Sequence, residues 1–150
     1  MNDGFPPHMD MQKLQLKATD SEDIQTVSAL LQDALITPAD MAYDRQQHSF
    51  VVLANRYCWE IETASYRCLC GIHISEVTQV QHRNMAVTGD DATINQFYNL
   101  LALSYDETTK KIILMFSDGA ELVCQVEKVN IIIRDVSVPH PSLRTPNHDR

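Results

Sequence analysis

The sequence predicts a single α+β domain that consists mostly of antiparallel β-strands. Residues 100–136 contain strand-length apolar runs separated by turn residues, and one turn is Asp118-Gly119, a pair that supplies the positive φ angles of a tight hairpin. A second strongly apolar run, Phe50–Ala54, follows a turn predicted at Arg45–His48. Residues 21–35 instead have the apolar spacing of an amphipathic helix.

The helix at residues 21–35 has recognisable signals at both ends. Asp20 or Ser21 can accept a hydrogen bond from a free N–H group of the first turn, and the acidic residues that follow lie near the positive end of the helix dipole. Thr37-Pro38 is predicted to end the helix, because a proline disfavours α-helical geometry in the residue before it. A short strand, Lys13–Thr19, is predicted before the helix, since its apolar side chains alternate.

The chain between the helix and residue 91 is predicted to form strands joined by short turns. Tyr66–Ile74 is the clearest strand, because its apolar side chains alternate with polar ones, as in a strand with one buried face. The alternation then slips by one residue, which indicates a bulge or bend near Ser75-Glu76. The other predicted segments are the strands Met41–Asp44 and Ser49–Ala54 and the loops Trp59–Ser65 and Asn84–Asp91.

In the second half of the chain, a short helix at Ala92–Tyr98 is predicted to precede three strands. The middle strand, Ile112–Phe116, contains five consecutive apolar residues and therefore lacks a polar face. We expect both sides of the sheet to be covered at this strand and at Phe50–Ala54. Glu121–Val136 is predicted to be the closing strand.

The predicted domain extends over residues 13–136. Residues 1–12 and 137–150 flank it as tails, because they are rich in proline and polar residues and lack periodic apolar positions. The first tail is predicted to be disordered, and the second is predicted to be extended or disordered.

The two halves of the domain resemble each other. Tyr43-Asp44 is followed by four turn residues and an apolar strand, and Tyr105-Asp106 is followed by the same arrangement. This internal sequence similarity predicts two duplicated α-β-β-β units related by an approximate twofold axis, packed as a sandwich or closed into a barrel. The alternative fold is a pleckstrin-homology-like barrel, although that architecture ends with a helix and this chain is predicted to end with a strand.

The charge of the chain argues against some classes of partner. Its 20 acidic and 12 basic residues give a formal net charge of −8, which repels the phosphates of nucleic acids and the anionic surface of membranes. The N-terminal residues lack the apolar core of a secretory signal, and no apolar run has the length of a membrane span. We therefore expect a cytoplasmic protein whose four cysteines are reduced thiols.

The cysteines and histidines do not have the spacing of a metal site. Cys58, Cys68, Cys70 and His73 carry groups that bind zinc, but two of the cysteines are separated by one residue on a predicted strand and lack the turn of a Cys-x2-Cys knuckle. His73 is expected on the opposite face of that strand. The sequence also lacks a nucleophile motif and a phosphate-binding glycine loop. It therefore assigns no catalytic residue, no metal ligand and no cofactor.

The segment Asn55–Glu60 is the best candidate for a functional site. Asn55, Arg56, Trp59 and Glu60 lie where the similarity between the two halves breaks, and tryptophan and arginine are typical interface anchors. They favour a non-enzymatic interaction module that binds a protein partner or forms a homodimer, through a sheet face or the loop that contains Trp59. The alternative is a small-ligand or metal-binding protein, or an enzyme, with its site between the two halves.

Four short segments carry a family resemblance: Leu53-Ala54-Asn55-Arg56, Trp59-Glu60, Ser75-Glu76-Val77 and the closing segment Glu121–Val136. Together they resemble an uncharacterised bacterial family that is catalogued as domain of unknown function 2948. The similarity covers residues 14–136 and implies a small bacterial cytoplasmic protein. It transfers no catalytic residue and no ligand, because none is established for the family.

Overall fold

The computed structural model describes residues 13–85 and 96–142. In this part of the chain, one α-helix and eleven strands follow one another along the sequence. The elements are β1 (Gln15–Ala18), α1 (Ser21–Leu31), β2 (Leu35–Ile36), β3 (Met41–Asp44), β4 (Ser49–Tyr57), β5 (Tyr66–Ile74), β6 (Val77–Arg83), β7 (Tyr98–Asp106), β8 (Lys111–Phe116), β9 (Glu121–Val126), β10 (Ile131–Asp135) and β11 (His140–Pro141).

The strands form one antiparallel sheet in which the short strand β2 joins two halves. The order across the sheet is β1-β10-β5-β4-β2-β7-β8-β9-β6, with β3 paired to β4 and β11 paired to β5. Leu35 connects the halves, because it pairs with Asn55 on one side and with Asn99 on the other. The outermost strands β1 and β6 are not paired with each other, so the sheet is not closed into a barrel.

A shared apolar core lies on the inner side of both halves. Alternate side chains of β4, β5, β8 and β9 fill it, and α1 contributes Ile24, Val27 and Leu31. The predicted class, mostly antiparallel β with an amphipathic helix, is confirmed. The predicted closed barrel is wrong, and the pleckstrin-homology-like alternative stays unconfirmed.

Helix α1 begins as predicted but ends earlier. The side chain of Asp20 accepts a hydrogen bond from the N–H of Asp23 at 2.8 Å, which caps the first turn. The helix ends at Leu31 and not at residue 35, because Asp33 adopts a positive φ of 67° and the next residues enter the sheet as β2. The backbone groups of β2 bond to strands on both sides, and this tertiary pairing competes with the last helical turn.

The segment predicted as three strands contains four. The turn at Asp118-Gly119 is confirmed, since the two residues have φ angles of 62° and 73°. The predicted closing strand Glu121–Val136 is interrupted between β9 and β10, because β9 already pairs with β8 and β6 on its two sides. After the interruption, β10 pairs with β5 and β1 in the other half of the sheet.

The bend predicted near Ser75-Glu76 is present, and it lets the chain cross from one half of the sheet to the other. Glu76 has a φ of 61°, and the N–H of Ser75 donates to the carbonyl oxygen of Asn130 at 3.0 Å. Strand β6, which follows this bend, leaves β5 and pairs with β9. The two halves therefore exchange strands at this corner.

The expectation that both sides of the sheet are covered is wrong at Phe50–Ala54. Phe50, Val52 and Ala54 are buried in the core, whereas Val51 is 40% exposed and Leu53 is 37% exposed. At β8 the outward side chains are half-buried. The outward side chains of this part of β4 are therefore partly open to solvent, although the run is apolar.

The two halves have matching turns before their central strands. Asp44 Oδ1 accepts the N–H groups of the two residues before His48, and Asp106 Oδ1 accepts those of the two residues before Lys110. His48 and Lys110 have φ angles of 54° and 57°. This similarity is compatible with duplicated units, but their common origin stays a prediction.

Some predicted segments lie wholly or partly outside the described residues. These are the tail at residues 1–12, most of the loop Asn84–Asp91, most of the helix Ala92–Tyr98 and residues 143–150. Tyr98 itself begins strand β7. Within the described part of the tail at 137–142, His140–Pro141 is extended and pairs with β5. None of the helices among the described residues has both the length and the apolar character needed to cross a membrane.

Candidate functional site

The apolar patch that remains open to solvent lies on one side of β1, β10, β5 and β4. We call this side, which points away from the core, the outer face. Its aliphatic side chains come from three neighbouring strands, and four of them are 37–51% exposed. These four are Val51, Leu53, Leu69 and Val136, and the half-buried Ile132 lies beside them.

The strand register places a glycine at the centre of the outer face. Gly71 pairs with Leu53 on one side and with Arg134 on the other. Since it has no side chain, a shallow depression of about 430 Å³ remains there, and Val51, Ile132 and Val136 contribute to its lining. A Cβ at this position would lie 3.8 Å from the carbonyl oxygen of Arg134, so a larger side chain would fill the depression without a backbone clash.

The outer face carries positive charge, although the chain as a whole is acidic. Among the residues of β1, β10, β5 and β4, the single acidic residue is Asp135, and it is buried. The outer face itself carries the exposed side chains of Lys17 and Arg134. Neither cation forms an ion pair with another described residue. A chain of net charge −8 therefore has an apolar and locally basic surface.

The second notable cluster surrounds Arg56, a fully buried arginine on the inner side of β4. Its Nε and Nη2 atoms donate to Asp135 at 2.8 and 2.9 Å, which links β4 to β10 across β5. Its Nη1 and Nη2 atoms also donate to the carboxylate of Glu60 at 3.0 and 2.7 Å. Asp135 Oδ2 accepts the N–H of Leu14 as well, so the same carboxylate holds the residue before β1 at the sheet edge.

The ionisation of this cluster follows from its two bidentate pairs. Burial alone would lower the pKa of Arg56, but the hydrogen bonds with Asp135 and Glu60 raise this pKa well above its ordinary value. Burial alone would raise the pKa of Asp135, but the bonds and the charge of Arg56 lower it. The pKa of Glu60 is lowered for the same reason. All three groups therefore carry their charges at neutral pH and stabilise one another.

Trp59 holds the loop after β4 against the end of α1. Its indole Nε1 donates to the carbonyl oxygen of Gln32 at 3.0 Å, and its ring packs edge-on against Tyr57 with the centroids 4.6 Å apart. The guanidinium of Arg67 lies 5.7 Å from the centre of the Tyr57 ring. The tryptophan is partly buried and already contributes to contacts within the chain.

Two cysteines lie next to the Arg56 cluster. The sulfur atoms of Cys58 and Cys68 are 3.7 Å apart, and both residues are buried in a small apolar cluster with Ile61 and Tyr66. As expected, Cys68 and Cys70 are buried on one face of β5, and His73 lies on the other. Within residues 13–85 and 96–142, no group of three or more His, Cys, Asp or Glu side chains is arranged to hold a metal ion.

The four residues singled out in the sequence occupy different environments. Arg56 is buried and cannot contact a partner in this conformation, whereas Glu60 is 44% exposed in its side chain. Asn55 lies on the outer face opposite Leu69, and its Oδ1 atom is buried without a described hydrogen-bond partner. A partner-binding role for Asn55, Trp59 and Glu60 stays a prediction, and the structure brings only Asn55 to the outer face.

Sequence reasoning missed two features of this site. It did not pair Arg56 with Asp135, although Arg56 is the only charged residue of β4 and Asp135 is the only acidic residue of β10. That isolation of opposite charges in buried strands was a usable signal, because buried charges are paired. It also missed the open outer face, for which the strands β10, β5 and β4 show no local signal.

Comparison with known proteins identifies a family but no function. A family model described as "Protein of unknown function (DUF2948)" matches residues 14–148. No curated protein and no solved structure matches the chain. The match confirms the family resemblance that the short motifs indicate.

Proposed function

Because the chain belongs to the DUF2948 family, whose description assigns no activity, we propose its function from geometry: it is a non-enzymatic protein-interaction module. Its outer face binds a segment of another protein in which aliphatic side chains are flanked by carboxylates. The observation that carries this proposal is the group of adjacent exposed aliphatic side chains on β4, on β5 and at Val136, which directly follows β10.

The apolar part of the outer face supplies the driving force for association. Contiguous exposed aliphatic side chains are characteristic of surfaces that another molecule covers. Covering the exposed half of an aliphatic side chain contributes about 1 kcal/mol. The depression at Gly71 lies between these side chains and can accept one apolar side chain of the partner.

The charge of the outer face indicates the chemistry of the partner. Lys17 and Arg134 lie beside the apolar patch, and Asp135, the single acidic residue of these strands, is buried, so carboxylates of the partner would pair with the two cations. A second copy of the chain, docked face to face about a twofold axis, would place the Lys17 and Arg134 cations of both copies in one interface. This repulsion favours an acidic segment of a different protein over a homodimer at this surface.

A pair of synthetic peptides tests the proposal. Both contain leucine and valine at alternate positions, and one is flanked by glutamates and the other by lysines. The proposal requires that the glutamate peptide shifts the amide resonances of Leu53, Leu69 and Gly71, and that added salt weakens its binding. Failure of the glutamate peptide to bind, or resonance shifts confined to another surface, would overturn the proposal.

Matched variants locate the binding surface. Leu53→Ser and Arg134→Gln are expected to weaken binding of the glutamate peptide roughly tenfold each, since each removes one contact of the outer face. Leu101→Ser and Arg83→Gln change a similarly exposed leucine and an exposed arginine of the other half, and both should bind as the wild type does. Equal losses in all four variants would contradict a specific site.

Two further measurements test whether a second copy of the chain or a membrane covers the outer face instead of an acidic protein segment. Sedimentation equilibrium of the wild type and of Arg134→Gln tests a homodimer, and a dimer that tightens on loss of the positive charge would contradict the proposed partner. Co-sedimentation with vesicles that contain phosphatidylglycerol tests a membrane surface. Retention of the wild type but not of Arg134→Gln on these vesicles would assign the outer face to lipid.

A further inference from the structure

The thiols of Cys58 and Cys68 are neighbours even though they are ten positions apart in the chain. Cys58 follows β4 directly, and its N–H donates to the carbonyl oxygen of Tyr66 at 2.8 Å at the start of β5. Cys68 on β5 pairs with Arg56 on β4. Cys58 is two residues after Arg56 and therefore lies diagonally next to Cys68. The sulfur atoms are 3.7 Å apart and must approach to about 2 Å in a disulfide.

The surroundings of Cys58 and Cys68 shift the pKa values of the two thiols in opposite directions. Hydrogen bonding with Cys68 and, to a smaller extent, the charge of Arg56 lower the pKa of Cys58, although burial alone would raise it. Hydrogen bonding with Cys58 and burial raise the pKa of Cys68. Burial also raises the pKa values of Cys70 and Cys124 to about 12. Of the four cysteines, Cys58 is therefore the one whose surroundings lower the pKa of the thiol.

We propose that Cys58 and Cys68 form a redox-sensitive dithiol, which hydrogen peroxide converts to an intramolecular disulfide. The Cys58 thiolate attacks one peroxide oxygen, so that an S–O bond forms, the O–O bond breaks and water leaves after protonation. The Cys68 sulfur then attacks the resulting sulfenic acid, the S–S bond forms and a second water leaves. Two thiols are oxidised and one peroxide is reduced to two water molecules.

The loop between the two cysteines controls access to them. Both cysteines are fully buried, so peroxide reaches Cys58 when the segment Cys58–Ser65 moves away. The contacts that hold this segment include the pair of Glu60 with Arg56, the bond from Trp59 to α1 and a backbone bond from Ser142 to Ser65. A disulfide would tether both ends of the segment and make its opening less frequent.

Mass spectrometry of the full-length protein after exposure to hydrogen peroxide tests the proposal. The wild type is expected to lose the mass of two hydrogen atoms, to keep two alkylatable thiols out of four and to yield one cross-linked peptide pair containing Cys58 and Cys68. A dithiol reductant should restore the original mass. A disulfide that contains Cys70 or Cys124, or stepwise addition of oxygen without a disulfide, would overturn the proposal.

Variants provide the controls. Cys58→Ala should slow the peroxide-dependent loss of thiols roughly tenfold, whereas Cys124→Ala should leave the Cys58–Cys68 pairing intact. If Cys58→Ala does not fold, the peptide mapping of the wild type and of Cys124→Ala still decides the question. Trp59→Phe removes the bond to Gln32 and should speed the oxidation, because the segment opens more often. An unchanged or slower rate in Trp59→Phe would contradict control by the loop.

Discussion

Arg56 and Asp135 form a bidentate ion pair across the intervening strand β5, with Nε–Oδ1 and Nη2–Oδ2 distances of 2.8 and 2.9 Å. Both side chains are almost completely removed from water. The pair joins the first half of the sheet to the last long strand, and Asp135 also holds Leu14 at the sheet edge. The two residues are 79 positions apart in the chain, so the pair forms only when β4, β5 and β10 have assembled.

Removal of either partner of this pair is expected to destabilise the fold strongly. Arg56→Met leaves the carboxylate of Asp135 buried without its cation, and we expect the free energy of unfolding to fall by about 3–5 kcal/mol. The double variant Arg56→Met/Asp135→Asn should lose less than the sum of the single variants. Urea unfolding provides the measurement. Arg83→Met, which breaks an exposed pair at 3.7 Å, is the control and should cost less than about 1 kcal/mol.

The stability of the protein is expected to decrease in acid because of Asp135. The hydrogen bonds with Arg56 and its charge lower the pKa of Asp135 in the folded state below its ordinary value, so the unfolded chain takes up the proton first as the pH falls. The contribution of the pair is therefore complete well above that value and is lost as the pH falls through the lowered pKa. Urea unfolding at neutral and acidic pH measures this loss.

Two variants assign the acid sensitivity to individual carboxyl groups. In Asp135→Asn this component of the pH dependence should disappear, because the side chain no longer titrates. Glu60→Gln should change the pH dependence less, because its side chain is 44% exposed and water screens its charge. A pH dependence in Asp135→Asn equal to that of the wild type would contradict this assignment.

Two leucines test whether the outer face is open to solvent in solution. Leu114 is fully buried in the core, and Leu114→Ala should lower the free energy of unfolding by about 2–5 kcal/mol. Leu53 is 37% exposed, and Leu53→Ala should lower it by about 1 kcal/mol or less. Chemical denaturation of the two variants makes the comparison. Equal losses would mean that another layer covers Leu53.

Trp59 is expected to stabilise the folded chain through its indole N–H. Trp59→Phe keeps most of the ring contact with Tyr57 but removes the bond to the carbonyl oxygen of Gln32, so we expect a loss of about 1 kcal/mol in the free energy of unfolding. Thermal unfolding followed by circular dichroism measures this loss. An unchanged stability together with weaker binding of a partner would instead favour the predicted role of Trp59 as an interface anchor.

Local signals in the sequence were sufficient for several elements. Asp20 caps α1, Asp118-Gly119 forms the hairpin turn, and Tyr66–Ile74 alternates between buried and more exposed positions as predicted. Each of these features depends on residues that are close together in the chain. The end of α1 was predicted wrongly because it depends on the pairing of β2 with two distant strands.

The candidate site was predictable only in part. The segment Asn55–Glu60 does contain the arginine and glutamate of the buried cluster, and Asn55 lies at the outer face. Asp135 and Cys68 complete the two pairs from other strands, and no short-range pattern links them to Arg56 and Cys58. Their proximity follows from the strand order, which is a property of the assembled sheet.

The sequence by itself determined that the chain forms an antiparallel β-rich domain with an amphipathic helix, because periodicity, capping and turn chemistry act between near neighbours. Tertiary structure decided which apolar strands are covered and which charges meet. An apolar strand such as Phe50–Ala54 has the same local pattern whether one or two layers pack on it. Only the positions of the other elements leave Val51 and Leu53 in contact with water.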